Sequence, residues 1–158
     1  MSVTSDGDQL IVSDKGDKTV KVLSPDGTHL IQTICDRDHD ELPWFAIYDR
    51  ELFFVSFSSA NCIKVFGKDG QLLYEIGCKG SGEAQFNHPT GLALDSFKNL
   101  VICDKGNGRL QIFMLEGEFL NAVKKGMVCP HSVALTNNGE LVVCDTNINA
   151  KSYIHVFH

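Results

Sequence analysis

The stretch that decides the fold is His88-Pro89-Thr90-Gly91-Leu92-Ala93-Leu94-Asp95, which is followed by Val101-Ile102-Cys103-Asp104 and by Asn107-Gly108-Arg109-Leu110-Gln111-Ile112-Phe113. The apolar segments are short, rich in β-branched residues and separated by turns that contain glycine, a pattern typical of antiparallel hairpins. No window sustains the apolar spacing of i, i+3, i+4 and i+7 that an amphipathic helix requires. We therefore predict an all-β fold.

The same pattern occurs four times along the chain. The central apolar residues of one strand segment recur every 43 to 47 residues, at Val22, Val65, Ile112 and Val156. A period of this size, with four strand segments per repeat, is typical of β-propeller blades. The sequence predicts one region of about three and a half blades, each with four antiparallel strands, in an incomplete ring. The approximate blade boundaries are 1–35, 36–80, 81–125 and 126–158. Because open blade edges invite pairing, we also expect self-association.

These repeats resemble the NHL repeat over nearly the whole chain. The match is specific in repeat three and good in repeat four, which contains Pro130-His131-Ser132-Val133-Ala134-Leu135 and Asp145; it is weaker in repeat two, where Phe57 replaces the aspartate. NHL propellers occur in tripartite-motif (TRIM-NHL) proteins, where they bind RNA or protein partners and where a ubiquitin-ligase RING lies far upstream. The resemblance implies that this chain is the C-terminal recognition part of such a protein, without a RING of its own.

Composition narrows the class of protein further. Hydrophobic residues make up 43% of the chain and charged residues 22%, a balance typical of a folded globular domain. No apolar stretch is long enough to span a membrane, so no membrane association is expected. The six cysteines show neither Cys-x-x-Cys spacing nor paired histidines, so we expect free thiols, no metal, no cofactor and a cytoplasmic location.

The loop charges are distributed unevenly. The d-to-a and b-to-c loops of a four-stranded blade share one face, which we call the top, and the a-to-b and c-to-d turns share the bottom. The chain carries a net charge of −6, yet basic residues outnumber acidic ones in the top loops of the last two repeats. These basic residues are Lys79, Lys105, Arg109, Lys124, Lys125 and Lys151. A basic sector suits phosphate groups, although lysines are also ordinary residues of solvated loops.

Three more residues of the predicted top face follow the recurring proline at the start of strand a: Trp44, Thr90 and His131. An aromatic or imidazole ring at this position suits stacking on a nucleobase or anchoring of a peptide. Alternatively, Trp44 packs between blades. Arg109 either clamps a phosphate or, as the NHL resemblance implies, pairs with Asp104; we favour the pairing.

The repeats and their loop charges are compatible with three functions. The first is an NHL module that binds RNA through its top face, and the second is a protein-interaction propeller of a ubiquitin-ligase lineage that uses the same face. The third, a fragment of a propeller hydrolase or lactonase, is disfavoured because no nucleophile with an ordered base is recognisable. We therefore expect no catalytic residues and no intrinsic catalysis.

Overall fold

The computed structural model describes residues 2–3, 8–34, 41–146 and 152–157. The strands of blade 1 are β1 (Ser2–Val3), β2 (Leu10–Asp14), β3 (Thr19–Leu23) and β4 (Leu30–Ile34). Those of blade 2 are β5 (Phe45–Asp49), β6 (Leu52–Phe57), β7 (Cys62–Gly67) and β8 (Leu72–Ile76), and two short strands follow, β9 (Cys78–Lys79) and β10 (Gln85–Phe86). Those of blade 3 are β11 (Pro89–Leu94), β12 (Leu100–Asp104), β13 (Arg109–Phe113) and β14 (Phe119–Val123). Those of blade 4 are β15 (Pro130–Leu135), β16 (Leu141–Asp145) and β17 (Tyr153–Phe157).

Each blade is an antiparallel meander whose strands a, b, c and d follow in chain order, and the described part of blade 4 supplies a, b and c. Strand a of each blade lies against strand a of the next, with β1 beside β5, β5 beside β11 and β11 beside β15. The four blades therefore stand side by side in an arc that does not close into a ring. This arrangement confirms the predicted all-β fold of antiparallel propeller blades.

The burial of each strand follows from its place in the arc. In β3, buried Val20 and Val22 alternate with half-buried Thr19, Lys21 and Leu23, because only one side of blade 1 is covered by a neighbour. Strands β7 and β12 are buried along their whole length, because blades 2 and 3 are covered on both sides. Such strands read as continuous apolar runs rather than as alternating ones.

Adjacent blades are held together by three apolar layers. The layer between blades 1 and 2 contains Ile11, Val20, Val22, Val55 and Phe66. The layer between blades 2 and 3 contains Phe54, Ile63, Phe86, Ile102 and Phe113. The layer between blades 3 and 4 contains Val101, Cys103, Leu110, Val133 and Val143. Burial of these side chains is the main source of stability for the arc.

A short parallel pair, β9 with β10, joins blade 2 to blade 3 and was not predicted from the sequence. It depends on Gly77, which has a φ of +81° and lies so close to the Phe86 ring that an added Cβ would be 2.2 Å from the ring. Only glycine fits this combination of backbone angle and contact. Among the residues that the structure describes, no helix is long and apolar enough to cross a membrane.

Candidate binding site on the top face

Four top-face residues converge around one indole ring. Trp44 immediately precedes β5, and its ring lies 5.4 Å from the His131 ring, centroid to centroid, in an edge-to-face arrangement with a 70° interplanar angle. The Lys15 ammonium lies 3.3 Å from the centroid of the indole, and the Lys105 ammonium lies 5.9 Å from it. We call these four residues the Trp44 cluster. Each comes from a different blade, so the cluster exists only when the arc is assembled.

The backbone positions each member of the cluster. The Trp44 N–H donates to the Ser56 carbonyl at 2.8 Å, which fixes the start of strand a in blade 2. Lys105 opens a 3₁₀ turn, Lys105–Asn107, directly after β12, and His131 lies at the second position of β15. Lys15 directly follows β2. The cluster is therefore carried by strand ends and tight loops, which suit the precise placement of side chains.

The Trp44 cluster is electropositive. Neither Lys15 nor Lys105 forms a salt bridge with a carboxylate within the described ranges. Burial lowers the pKa of the His131 imidazole below its ordinary value of 6.5, and the charges of Lys105 and then Lys15 lower it further. Two ammonium groups facing an aromatic ring, with a neutral imidazole beside them, favour an anionic ligand that carries a planar group.

We expect His131 to titrate below pH 6.5. Because its pKa is lower in the folded than in the unfolded chain, its contribution to stability is complete above pH 6.5 and is lost as the pH falls through the folded-state value. Lys105→Met should raise the His131 pKa, because it removes a neighbouring charge. An NMR titration of the imidazole resonances measures both, with Lys68→Met in a bottom turn as the control that leaves the pKa in place. A wild-type pKa at or above the ordinary value would contradict this prediction.

Thr90 lies outside the cluster, although it shares the repeat position of Trp44. Its side chain is buried, and its hydroxyl donates to the Pro130 carbonyl at 3.4 Å. The Ser56 hydroxyl in turn donates to the Thr90 carbonyl at 2.6 Å. Thr90 therefore links blades 2, 3 and 4 beneath the top surface, where its hydroxyl is already engaged.

Arg109 holds a loop in place. Its Nε donates to Asp104 Oδ2 at 2.8 Å, and its Nη2 donates to the carbonyls of Gly82 at 2.6 Å and Gln85 at 2.9 Å. The same carboxylate accepts from the side chains of Asn107 at 2.8 Å and Gln111 at 3.1 Å. The geometry matches the pairing with Asp104 rather than a free phosphate clamp.

The remaining basic residues of the predicted site stand apart from the Trp44 cluster. Lys79, Lys124 and Lys125 are exposed, and no described contact joins them to it. Lys79 borders a cavity of about 270 Å³ in which buried Lys64 pairs with Glu41 at 2.9 Å. Lys151 lies outside the described residues. The site prediction omitted Lys15, although Asp14-Lys15-Gly16 repeats Asp104-Lys105-Gly106 and so places the two lysines at equivalent positions.

The bottom face differs in its charge. A cavity of about 620 Å³ opens there beside the strands a, and its lining includes Asp49, Lys98 and Asn137. Lys98 donates to Asp49 Oδ1 at 3.2 Å, so the cation in this cavity is already neutralised. Among the described residues, the unpaired cations that share an aromatic ring are on the top.

The comparisons with known proteins identify the repeat. The NHL repeat family matches residues 86–113 and 127–149. The chain is similar to human NHL repeat-containing protein 3, with 34% identity over 94 residues that cover 55% of this chain and 26% of that protein. It is also similar to human E3 ubiquitin-protein ligase TRIM32, with 30% identity over 79 residues that cover 50% of this chain and 12% of that protein. The chain thus spans well under half the length of either relative.

Solved structures agree on the fold. Virginiamycin B lyase from Staphylococcus aureus superposes with a TM-score of 0.70 at 13% identity, over 98% of this chain and 53% of that one. The WD40 β-propeller domain of Doa1 superposes with a TM-score of 0.67 at 18% identity, over 90% of this chain and 45% of that one. This protein is a β-propeller assembly of antiparallel blades. Its blades are NHL repeats, and it corresponds to part of a propeller of the TRIM-NHL type.

Proposed function

We propose that this chain is a recognition module that binds single-stranded RNA on its top face, at the Trp44 cluster. The observation that carries the proposal is the meeting of Lys15 and Lys105, without carboxylate partners in the described residues, over the indole of Trp44. Lysines bind phosphates and release counterions, while an indole stacks on any base. Lys124 and Lys125 extend the basic surface along the d-to-a loop that precedes β15.

The cluster has to open for a base to stack. The Lys15 ammonium occupies one side of the indole at 3.3 Å. A partly exposed cation–π contact of this kind is worth only about 0.5–1 kcal/mol, whereas a stacked base contributes about 1–3 kcal/mol. A phosphate that draws Lys15 aside therefore compensates for the lost contact and frees the ring in the same step.

A second candidate ligand is an acidic segment of a protein partner, bound by the same face. The similarity to part of E3 ubiquitin-protein ligase TRIM32 favours it, and in that case the module belongs to a ubiquitin-ligase lineage. We propose binding rather than catalysis for this chain, since the lyase among the solved structures resembles it in fold alone. A cytoplasmic location is also proposed; it is supported by the free thiols of Cys62, Cys78, Cys103, Cys129 and Cys144.

The test is a fluorescence-anisotropy titration with labelled oligouridine between about 50 and 200 mM salt. Lys15→Glu/Lys105→Glu should weaken binding and lower the salt slope by about 2, one unit for each lost phosphate contact. Trp44→Ala should cost about 1–3 kcal/mol of binding energy. Lys124→Glu/Lys125→Glu should weaken binding as well, because it reverses charge on the same face.

The control is Lys68→Glu, which reverses a charge in an exposed bottom turn. Equal losses from Lys68→Glu and Lys105→Glu would show that binding follows net charge rather than the cluster. An absence of oligouridine binding at low salt would reject RNA. Binding of a polyglutamate peptide under those conditions, with the same dependence on Lys105, would make the protein partner the ligand.

A further inference from the structure

The side of blade 4 that points away from blade 3 is apolar and open. Ile154 is 72% exposed and Val156 is 49% exposed, and both lie on β17. Ala134 and Cys144 are exposed on the neighbouring strands of the same side. We call this surface the blade 4 face; it consists of Ala134, Val142, Cys144, Ile154 and Val156. Contiguous exposed apolar patches on a folded protein mark sites of association.

The repeat shows what kind of surface covers such a face. In blade 4, Val142 pairs with Ala134 and Val156, and Cys144 pairs with Ile154. The corresponding rows in blade 3 consist of Ala93, Val101 and Ile112 and of Cys103 and Leu110. These blade 3 residues belong to the apolar layer beneath blade 4. An apolar blade 4 face therefore calls for a covering blade of the same kind.

The surface that covers blade 3 has a recognisable composition. On blade 4 it includes Leu141 paired with Phe157 and Val143 paired with His155, and Asp145 accepts from that imidazole at 3.1 Å. Its members are thus a Leu beside a large apolar residue, a Val beside a polar residue, and an Asp that holds the polar residue.

Blade 1 presents the same pattern on its side away from blade 2. There Leu10 pairs with Leu23, Val12 pairs with Lys21, and Asp14 accepts from the Lys21 ammonium at 2.6 Å. We call this surface, composed of Leu10, Val12, Asp14, Lys21 and Leu23, the blade 1 face. It is half-buried, with the other blade 1 residues packed against blade 2. The two open faces of the chain thus repeat the two sides of its own blade 3–blade 4 contact.

We propose that two copies of this chain associate head to tail, with the blade 4 face of each copy packed on the blade 1 face of the other, and that the two contacts close a ring of two chains. The size of the arc fits, because one copy spans 53% of the virginiamycin B lyase chain and 45% of the Doa1 propeller structure. The association is independent of any ligand on the top face.

Sedimentation velocity over a range of concentrations tests the association. The wild-type chain should form a dimer, and Val156→Lys on the blade 4 face or Val12→Lys on the blade 1 face should raise the dissociation constant at least about 100-fold, because each places a charge in an apolar contact. Phe97→Lys is the matched control, because Phe97 is 84% exposed in a bottom turn away from both faces. It should leave the dimer intact.

Mixing the two face variants tests the head-to-tail geometry. Val156→Lys and Val12→Lys should each be monomeric alone, yet their mixture should form a heterodimer, because the intact blade 4 face of one meets the intact blade 1 face of the other. A mixture that stays monomeric would overturn head-to-tail packing, and a dimer that survives both variants would place the contact elsewhere. A wild-type chain that stays monomeric at every concentration would leave the face to a partner of another sequence and reject the proposal. A variant that lacks the wild-type circular dichroism spectrum is replaced by Ile154→Lys or Leu23→Lys.

Discussion

Asp104→Ala is expected to destabilise the protein by about 3–5 kcal/mol, the range for breaking a buried ion pair by removing one partner. The Asp104 carboxylate is fully buried and accepts from the Asn87 backbone N–H at 2.8 Å and from Arg109 Nε at 2.8 Å. Arg109 is itself only 12% exposed, so the variant leaves a nearly buried guanidinium without its counter-charge. Urea unfolding, followed by circular dichroism at a fixed protein concentration, measures the loss of stability.

Asp14→Ala is the matched control, because Asp14 holds the same repeat position in blade 1. Its carboxylate is 32% exposed and accepts from the Lys21 ammonium at 2.6 Å, and solvent screens this pair. The loss of stability should therefore be clearly smaller than for Asp104→Ala. Equal losses at the two positions would mean that the recurring aspartate acts through local turn geometry, and that the buried network around Arg109 adds nothing.

Much of the fold follows from the sequence because its information is local. Hairpin turns, short β-branched runs and the interval between Val22 and Val65 specify meanders of four strands without reference to distant contacts. The β9–β10 pair was missed because it depends on a tertiary contact, the close approach of the Phe86 ring to Gly77. Nothing in the spacing of glycines along the chain distinguishes that approach from an ordinary turn.

The candidate site was predicted less completely, since it depends on how the blades are arranged. Trp44, Thr90 and His131 share a repeat position, yet the arc brings the first and third into ring contact and buries the second. The reason lies beside Thr90, where Gly91 allows blade 4 to approach so closely that an added Cβ would be 2.7 Å from the Ser132 Cα. Lys15 was left out because charges were grouped by repeat, whereas the arc also brings blade 1 to the same ring.

Phe113→Ala is expected to remove about 3–5 kcal/mol of stability, the usual cost of deleting a buried phenylalanine ring. Phe113 is fully buried in the layer between blades 2 and 3. Its ring centroid lies 5.7 Å from that of Phe86 and 5.6 Å from that of Phe119. The deletion therefore removes two aromatic contacts, and the cavity it leaves lies where two blades meet and backbone strands on both sides resist collapse.

Phe97→Ala controls for the loss of a phenyl ring as such, because Phe97 is 84% exposed in the turn between β11 and β12. Its effect should stay within about 0.5 kcal/mol, as for most surface substitutions. Phe113→Leu refills much of the space and should cost less than about 1.5 kcal/mol. Urea unfolding of the three variants should thus rank Phe113→Ala far below the other two. If Phe113→Ala lost no more stability than Phe97→Ala, blades 2 and 3 would not share a packed core, and the arc that assembles the Trp44 cluster would lack its central support.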